Sequence, residues 1–217
     1  MKIENLKVYD LENSMIASGY PMRTDLHDNI IDGKVIKRCL NLTKASNGNG
    51  AHGQWLTGVR VAFDLTCTNK MWVEAERYRF LEFVSSQSTM HRITKFDLDK
   101  QYNKYVDARV VDIMKEKVTL YNDICDSCEK FSPEDAEARK IMEEVKKEKY
   151  LEILYTNPAG FELTARMTTN YRCLLNIYIQ RYNHRLPEWR EFCQELLNLP
   201  YFSELVEAYK EGKIIVE

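Results

Sequence analysis

The stretch Asn170-Tyr-Arg172-Cys-Leu-Leu-Asn176-Ile-Tyr-Ile-Gln-Arg181-Tyr-Asn183 organises the reading of this chain. Laid on a helix, residues i, i+4 and i+8 stand nearly above one another, so Arg172, Asn176 and Gln180 form one polar stripe. Leu174, Ile177 and Tyr178 take the far side, and Arg181 falls between Leu174 and Ile177 on the apolar arc. A guanidinium stays ionised, and leaving it buried and unpaired costs several kcal/mol. Arg181 must therefore snorkel to water, pair with a carboxylate or meet a ligand. The polar stripe has two readings of its own, a solvated face or the wall of a binding site.

Just upstream, Phe161, Leu163, Ala165 and Met167 alternate with polar partners, the period-two pattern of a half-buried strand, and Asn157-Pro158-Ala159-Gly160 precedes them as a turn. Before that turn, Ser132-Pro133-Glu134-Asp135 supplies an N-cap, a proline at the first helical position and early acids, opening a helix through about Lys149. Val106, Val110, Ile113, Met114, Val118 and Tyr121 recur at helical spacing. Further upstream, Val59, Val61, Phe63 and Leu65 alternate as a strand, residues 70 to 83 read as a helix, and Ser85-Ser-Gln-Ser-Thr89 as a polar loop. The segment Ala45-Ser-Asn-Gly-Asn-Gly-Ala-His52-Gly reads as an ordered loop whose glycines permit positive φ and close backbone approach. Downstream, Pro187 and Ser203 start two more helices. Long helices with a few separated strands give an α+β fold.

The chain's 217 residues suit one compact domain, read as 1–217. Lys+Arg of 31 against Asp+Glu of 33 gives a net charge of -2, so no global field draws the chain to nucleic acid or an anionic membrane. An anion must be held by a local cluster. No run approaches a membrane span, and the start MKIENLKVYDLENS has no apolar signal core, so the expectation is a cytoplasmic protein with reduced cysteines. Cys125-Asp-Ser-Cys128 lacks a second pair and reads as helix-end packing. His27, His52, His91 and His184 show no HxxxH spacing, so no metal centre is expected. Dinucleotide, P-loop and serine-hydrolase signatures are absent.

One other cluster bears on chemistry. Arg77-Tyr78-Arg79 near the end of the helix over 70–83 carries two cations that point in different directions, able to hold different oxygens of a bulky polyanion. The hydroxyls of Ser85-Ser86-Gln87-Ser88 follow closely. A solvated surface is the alternative.

Together these motifs resemble the flavin-dependent thymidylate synthases. Asn170, Arg172, Asn176 and Arg181 reproduce that family's Asn-x-Arg-x-x-x-Asn-x-x-x-x-Arg helix in residue type and spacing. Arg77-Tyr78-Arg79 is similar to its Arg-His-Arg triplet, with Ser88 one place beyond the usual serine, and His52 is similar to its loop histidine. The tail Ala208 to Glu217 also resembles the family's, and the likeness is weakest over residues 1 to 44 and 95 to 150.

The resemblance implies an antiparallel sheet packed with several long helices, and a homotetramer using FAD, NADPH and methylenetetrahydrofolate to convert dUMP to dTMP, with no nucleic-acid or membrane partner. His52, Arg77, Tyr78, Arg79, Asn170, Arg172 and Asn176 would hold the cofactor. Glu74, Gln87, Ser88, Arg92 and Arg181 would hold the nucleotide, with Arg181 and Ser88 as the catalytic residues and no cysteine nucleophile.

The chain departs from the pattern at four places: Tyr78 stands for histidine, Glu74 for glutamine, Thr89-Met90 for Arg-Tyr, with Arg92 as a substitute phosphate contact, and Leu154 for arginine. These changes touch the nucleotide set more than the flavin set. The alternatives are a related flavoenzyme modifying another pyrimidine nucleotide, for example by hydroxymethylation, and a non-catalytic helical module that binds nucleic acid.

Overall fold

A computed structural model describes residues 1–26, 30–130 and 136–212. Four strands, β1 (Lys2–Tyr9), β2 (Arg60–Thr68), β3 (Glu82–Ser86) and β4 (Glu162–Asn170), form one sheet in the order β1-β2-β4-β3. β1 runs antiparallel to β2, from Lys2 opposite Thr66 to Tyr9 opposite Arg60. The register slips between Glu4 and Lys7, where Asn5 adopts φ of 50°, a conformation asparagine tolerates better than most residues. β2 and β4 are antiparallel as well: Tyr171 N–H reaches Val59 O at 3.0 Å at one end and Asn69 N–H reaches Phe161 O at 2.9 Å at the other. The α+β class and the antiparallel sheet follow the expectation.

The chain forms two compact units. The first comprises Met1–Thr66, Met71–Ser85 and Ala165–Glu217, the second Cys67–Lys70 and Ser86–Thr164. In the first, the alternation in β2 buries Val59, Val61, Phe63 and Leu65. Their face packs on α7 (Tyr171–Arg181), α8 (Pro187–Leu196) and α9 (Phe202–Glu211), with Phe63 and Phe192 centroids 5.9 Å apart and Tyr171 edge-on to Phe202 at 5.4 Å. Before β2 lie α1 (Leu11–Ala17), α2 (Gly33–Ala45) and a 3-10 segment, Gly50–Thr57. Arg38 of α2 closes the end of α1 by donating to the Met15 carbonyl at 3.2 Å and to Ser18 Oγ at 3.0 Å.

The second unit is built on α5 (Ala108–Cys128) and α6 (Ala136–Thr156), around a core of Ile93, Leu98, Met114, Val118, Ile153 and Phe161. Cys128 lies buried in the last turn of α5, as the reading of Cys125 and Cys128 anticipated. No helix among the described residues is long and apolar enough to cross a membrane.

Several sequence expectations need correction. The helix expected over 70 to 83 is α3 and ends at Ala75; two tight turns follow, Tyr78 N–H to Ala75 O at 3.0 Å and Leu81 N–H to Tyr78 O at 2.8 Å, and then β3. β3 was invisible because every one of its residues is exposed at the sheet edge, so no buried alternation marks it. The polar loop over 85 to 89 contracts to Gln87 and Ser88, between β3 and the short α4 (Thr89–Arg92). In the Gly-rich segment, α2 persists through Ala45 and the 3-10 turns begin at Gly50. No described glycine has positive φ; space is tight at two of the three in that segment, a Cβ on Gly50 falling 3.0 Å from Arg172 Nη2 and one on Gly53 3.0 Å from Ser46 Cβ, while Gly48 is uncrowded. The capping sequence Ser132 to Asp135, His27, and the tail beyond residue 212 lie outside the described residues.

Candidate active site

Arg172 and Asn176 of the polar stripe of α7 line a cavity that Gln180 does not reach. Asn170 caps the helix, its Oδ1 accepting the Cys173 N–H at 3.0 Å, and this fixes where the stripe begins. From there Arg172 and Asn176 face the same hollow as Arg77, Tyr78, Arg79 and Phe80 from the turns after α3, Gln54 and Thr57 from the 3-10 segment, and Arg60 from the start of β2. The hollow has a volume of about 870 Å³, within the range of sites that hold cofactors.

Its electrostatics are one-sided. Arg60, Arg77, Arg79 and Arg172 line it, and no Asp or Glu does. Among the described residues none of these four arginines forms an ion pair. Arg172 Nη1 donates to Gln54 Oε1 at 2.6 Å, and Arg79 lies 5.5 Å from the Phe80 ring centroid. Four cations around one cavity without counter-charge repel one another, so the folded chain tolerates them where water or an anionic ligand supplies the compensation. Cys173 also stands in the wall, and burial pushes its thiol above the ordinary range, which keeps it protonated and unreactive near neutral pH.

Arg181 is placed differently. It does not line this cavity; its Nη1 donates to Glu74 Oε2 at 2.9 Å, and the same oxygen accepts the Trp189 indole N–H at 3.0 Å. The guanidinium carbon sits 5.0 Å from the Trp189 ring centroid and 5.6 Å from that of Tyr78, and His184 Nε2 approaches Nη1 at 2.7 Å. Both partners of the ion pair are only 15% exposed. Of the three options for an arginine on an apolar arc, the chain takes the carboxylate, and the acceptor is the same Glu74 that departs from the family pattern.

The remaining candidate residues are dispersed. His52 lines an adjacent cavity of about 450 Å³ with Ser14, Ser18 and Trp55 and does not line the arginine-lined hollow, although Gln54 and Thr57 border both. Gln87, Ser88 and Arg92 belong to the second unit. There Gln87 pairs with Thr164 through both its backbone N–H and its side-chain oxygen, each at 2.9 Å, while Ser88 precedes α4 without a capping hydrogen bond from its side chain. Sequence reasoning did not anticipate Gln54 or Arg60 as site residues. Arg60 carried a usable signal, the outward position beside Val61 on β2; Gln54 carried none.

Neither a protein-family profile nor any curated protein matches the sequence. Solved structures do match. A flavin-dependent thymidylate synthase, ThyX, from Helicobacter pylori, solved with FAD and dUMP, superposes with TM-score 0.63 at 14% identity over 100% of both chains. A second structure of that enzyme with the same ligands gives TM-score 0.65 at 14% identity, covering 97% of this chain and 100% of its own. The UMP/dUMP methylase PolB from Streptomyces cacaoi, bound with 5-Br dUMP, gives 0.57 at 15% identity, covering 98% and 95%. Likeness over the whole length at this identity shows the fold.

Proposed function

We propose, from the premise that the chain has the fold of the flavin-dependent thymidylate synthases, that it is an FAD-dependent enzyme that methylates dUMP to dTMP. Methylenetetrahydrofolate is the carbon donor and NADPH the reductant. One observation carries the reading: a single carboxylate-free cavity gathers Arg77, Tyr78 and Arg79 with Asn170, Arg172 and Asn176, residues of two motifs far apart in sequence. The donor set fits FAD, since four guanidiniums match a pyrophosphate and the carboxamides match the carbonyl oxygens of a flavin ring.

Bound FAD supplies the two-electron chemistry. The chain's own residues bind and orient. Arg77 and Arg79, exposed and unpaired among the described residues, neutralise the phosphates, while Arg172, braced on Gln54, holds a fixed direction. His52 completes the flavin surroundings in this reading. Arg181 contacts the pyrimidine through Nη2, the nitrogen not engaged by Glu74, His184 or Tyr78, and steadies negative charge as the ring is activated. Ser88, with Gln87 and Arg92, contacts the nucleotide, and Glu74 sets the orientation of Arg181. The enzyme works as a cytoplasmic homotetramer.

A second reading concerns the nucleotide. Glu74 and Leu154 alter positions that carry a glutamine and an arginine in the family pattern, and PolB is described as acting on UMP as well as dUMP. A ribonucleotide or another pyrimidine nucleotide is therefore the alternative substrate. The test is direct: purify the protein, identify any released yellow chromophore, then incubate with NADPH, methylenetetrahydrofolate and either dUMP or UMP, and weigh the products by mass spectrometry. A methylated deoxynucleotide supports the first reading and a methylated or hydroxymethylated ribonucleotide the second. Failure to take up FAD overturns both.

A further inference from the structure

We propose that Tyr78 and Gln180 are positioning residues that fix the hydrogen-bonding polarity of Asn176, so that this wall of the cavity offers donors and selects a ligand edge made of acceptors. The geometry is a chain with one possible direction. Arg181 Nε donates to Tyr78 Oη at 2.8 Å, and a guanidinium has no acceptor to offer in return. The phenol's single proton goes on to Gln180 Oε1 at 3.0 Å. With its oxygen engaged, Gln180 turns its NH₂ to Asn176 Oδ1, also at 3.0 Å. Asn176 is left with its NH₂ for the cavity it lines.

Two neighbours are set the same way by independent contacts. Asn170 Oδ1 accepts from the Cys173 N–H and Gln54 Oε1 accepts from Arg172, so in each side chain the oxygen is turned to the protein and the NH₂ is the group left without a protein partner among the described residues. All three carboxamides lining the cavity thus present N–H groups beside four arginines. Carbonyl oxygens, phosphate oxygens and unprotonated ring nitrogens satisfy such a wall; a ligand edge carrying N–H or NH₂ leaves donors facing donors, which costs binding. The name of the ligand rests on the proposed FAD reading, while the polarity rests on the chain of contacts.

The test is a double-mutant cycle in FAD binding, followed by fluorescence titration. Tyr78→Phe is expected to weaken FAD about 5- to 10-fold, the scale of one hydrogen bond. In an Asn176→Ala background the same change is expected to cost less than about 2-fold, because nothing remains to be positioned. Equal losses in both backgrounds would mean that Tyr78 touches the ligand directly, and would overturn the proposal. Gln180→Glu, which removes the donor to Asn176, is expected to weaken FAD by at least about 10-fold; unchanged affinity also overturns it. The free protein supplies a separate readout: the Tm losses of Tyr78→Phe and Gln180→Met are expected to be non-additive, and additive losses reject the linkage. If wild-type protein takes up no FAD while that second cycle is non-additive, the FAD reading falls and the positioning chain stands.

Discussion

Arg172 and Arg181 come from one helix, nine residues apart, and meet opposite surroundings. Arg181 lies between Trp189 and Tyr78 with its charge neutralised by Glu74. Arg172 faces a hollow with three other arginines and no acid. The first arrangement is what folding requires of a cation in an apolar place, since a buried charge must be paired. In the second only Arg172 has a side-chain hydrogen bond to the fold among the described residues, to Gln54, and the like charges gathered there repel one another unless water or an anion compensates them. Pairing, more than the presence of arginine, separates the scaffold cation from the arginines proposed to bind a ligand.

Breaking the paired side has the largest expected effect. Glu74→Ala strands Arg181 in a largely buried position and is expected to cost about 3 kcal/mol of stability in urea unfolding; adding Arg181→Met should recover most of it. That double variant also sharpens the functional side of the comparison. If Arg181 serves the pyrimidine as proposed, turnover falls by at least about 100-fold while FAD content stays near wild type, and loss of FAD would instead assign Arg181 to the cofactor. On the unpaired side, Arg77→Ala is expected to weaken FAD about 10-fold, the scale of one charge-assisted hydrogen bond, and to change stability by less than about 0.5 kcal/mol. Raising salt from about 0.05 to about 0.5 M should weaken FAD binding several-fold and leave the Glu74–Arg181 coupling nearly unchanged, because screening reaches exposed charges first.

The smallest effect concerns a solvent-side pair in the sheet. Asn5 and Arg166 hydrogen-bond Asp64 and hold its carboxyl below the usual range. A folded-state pKa below the unfolded one contributes stability that is present above about pH 4 and lost as pH falls through the folded value. Asp64→Asn should therefore flatten the acid limb of a Tm-against-pH curve and leave FAD uptake at pH 7 unaltered.

What could be read in advance follows the same physics. α7 was legible because its two faces differ: buried Leu174 and Ile177 alternate with Arg172, Asn176 and Gln180 at helical spacing. β2 was legible because one side of it is buried throughout. β3 and the end of α3 were not, since an exposed edge strand carries no periodic signature and the turns at Tyr78 and Leu81 contain neither Gly nor Pro. β1, α1 and α2 escaped notice too: β1 is mostly exposed and interrupted at Asn5. Around the hollow, Arg77, Tyr78, Arg79, Asn170, Arg172 and Asn176 converge, whereas His52 lines the neighbouring cavity across Gln54 and Thr57, a placement within one 3-10 segment that composition does not encode. The Glu74–Arg181 pair spans 107 residues, and no local pattern announces a contact of that range.

Asn170 joins two tasks in one side chain. Its carboxamide oxygen starts α7 and its amide group is what remains to face the cavity. A serine there would still begin the helix but present a hydroxyl to the hollow, and an alanine would loosen the first turn and strip the wall in one step. The start of the helix and the lining of the cavity are thereby tied to a single side chain, so a substitution there changes both at once.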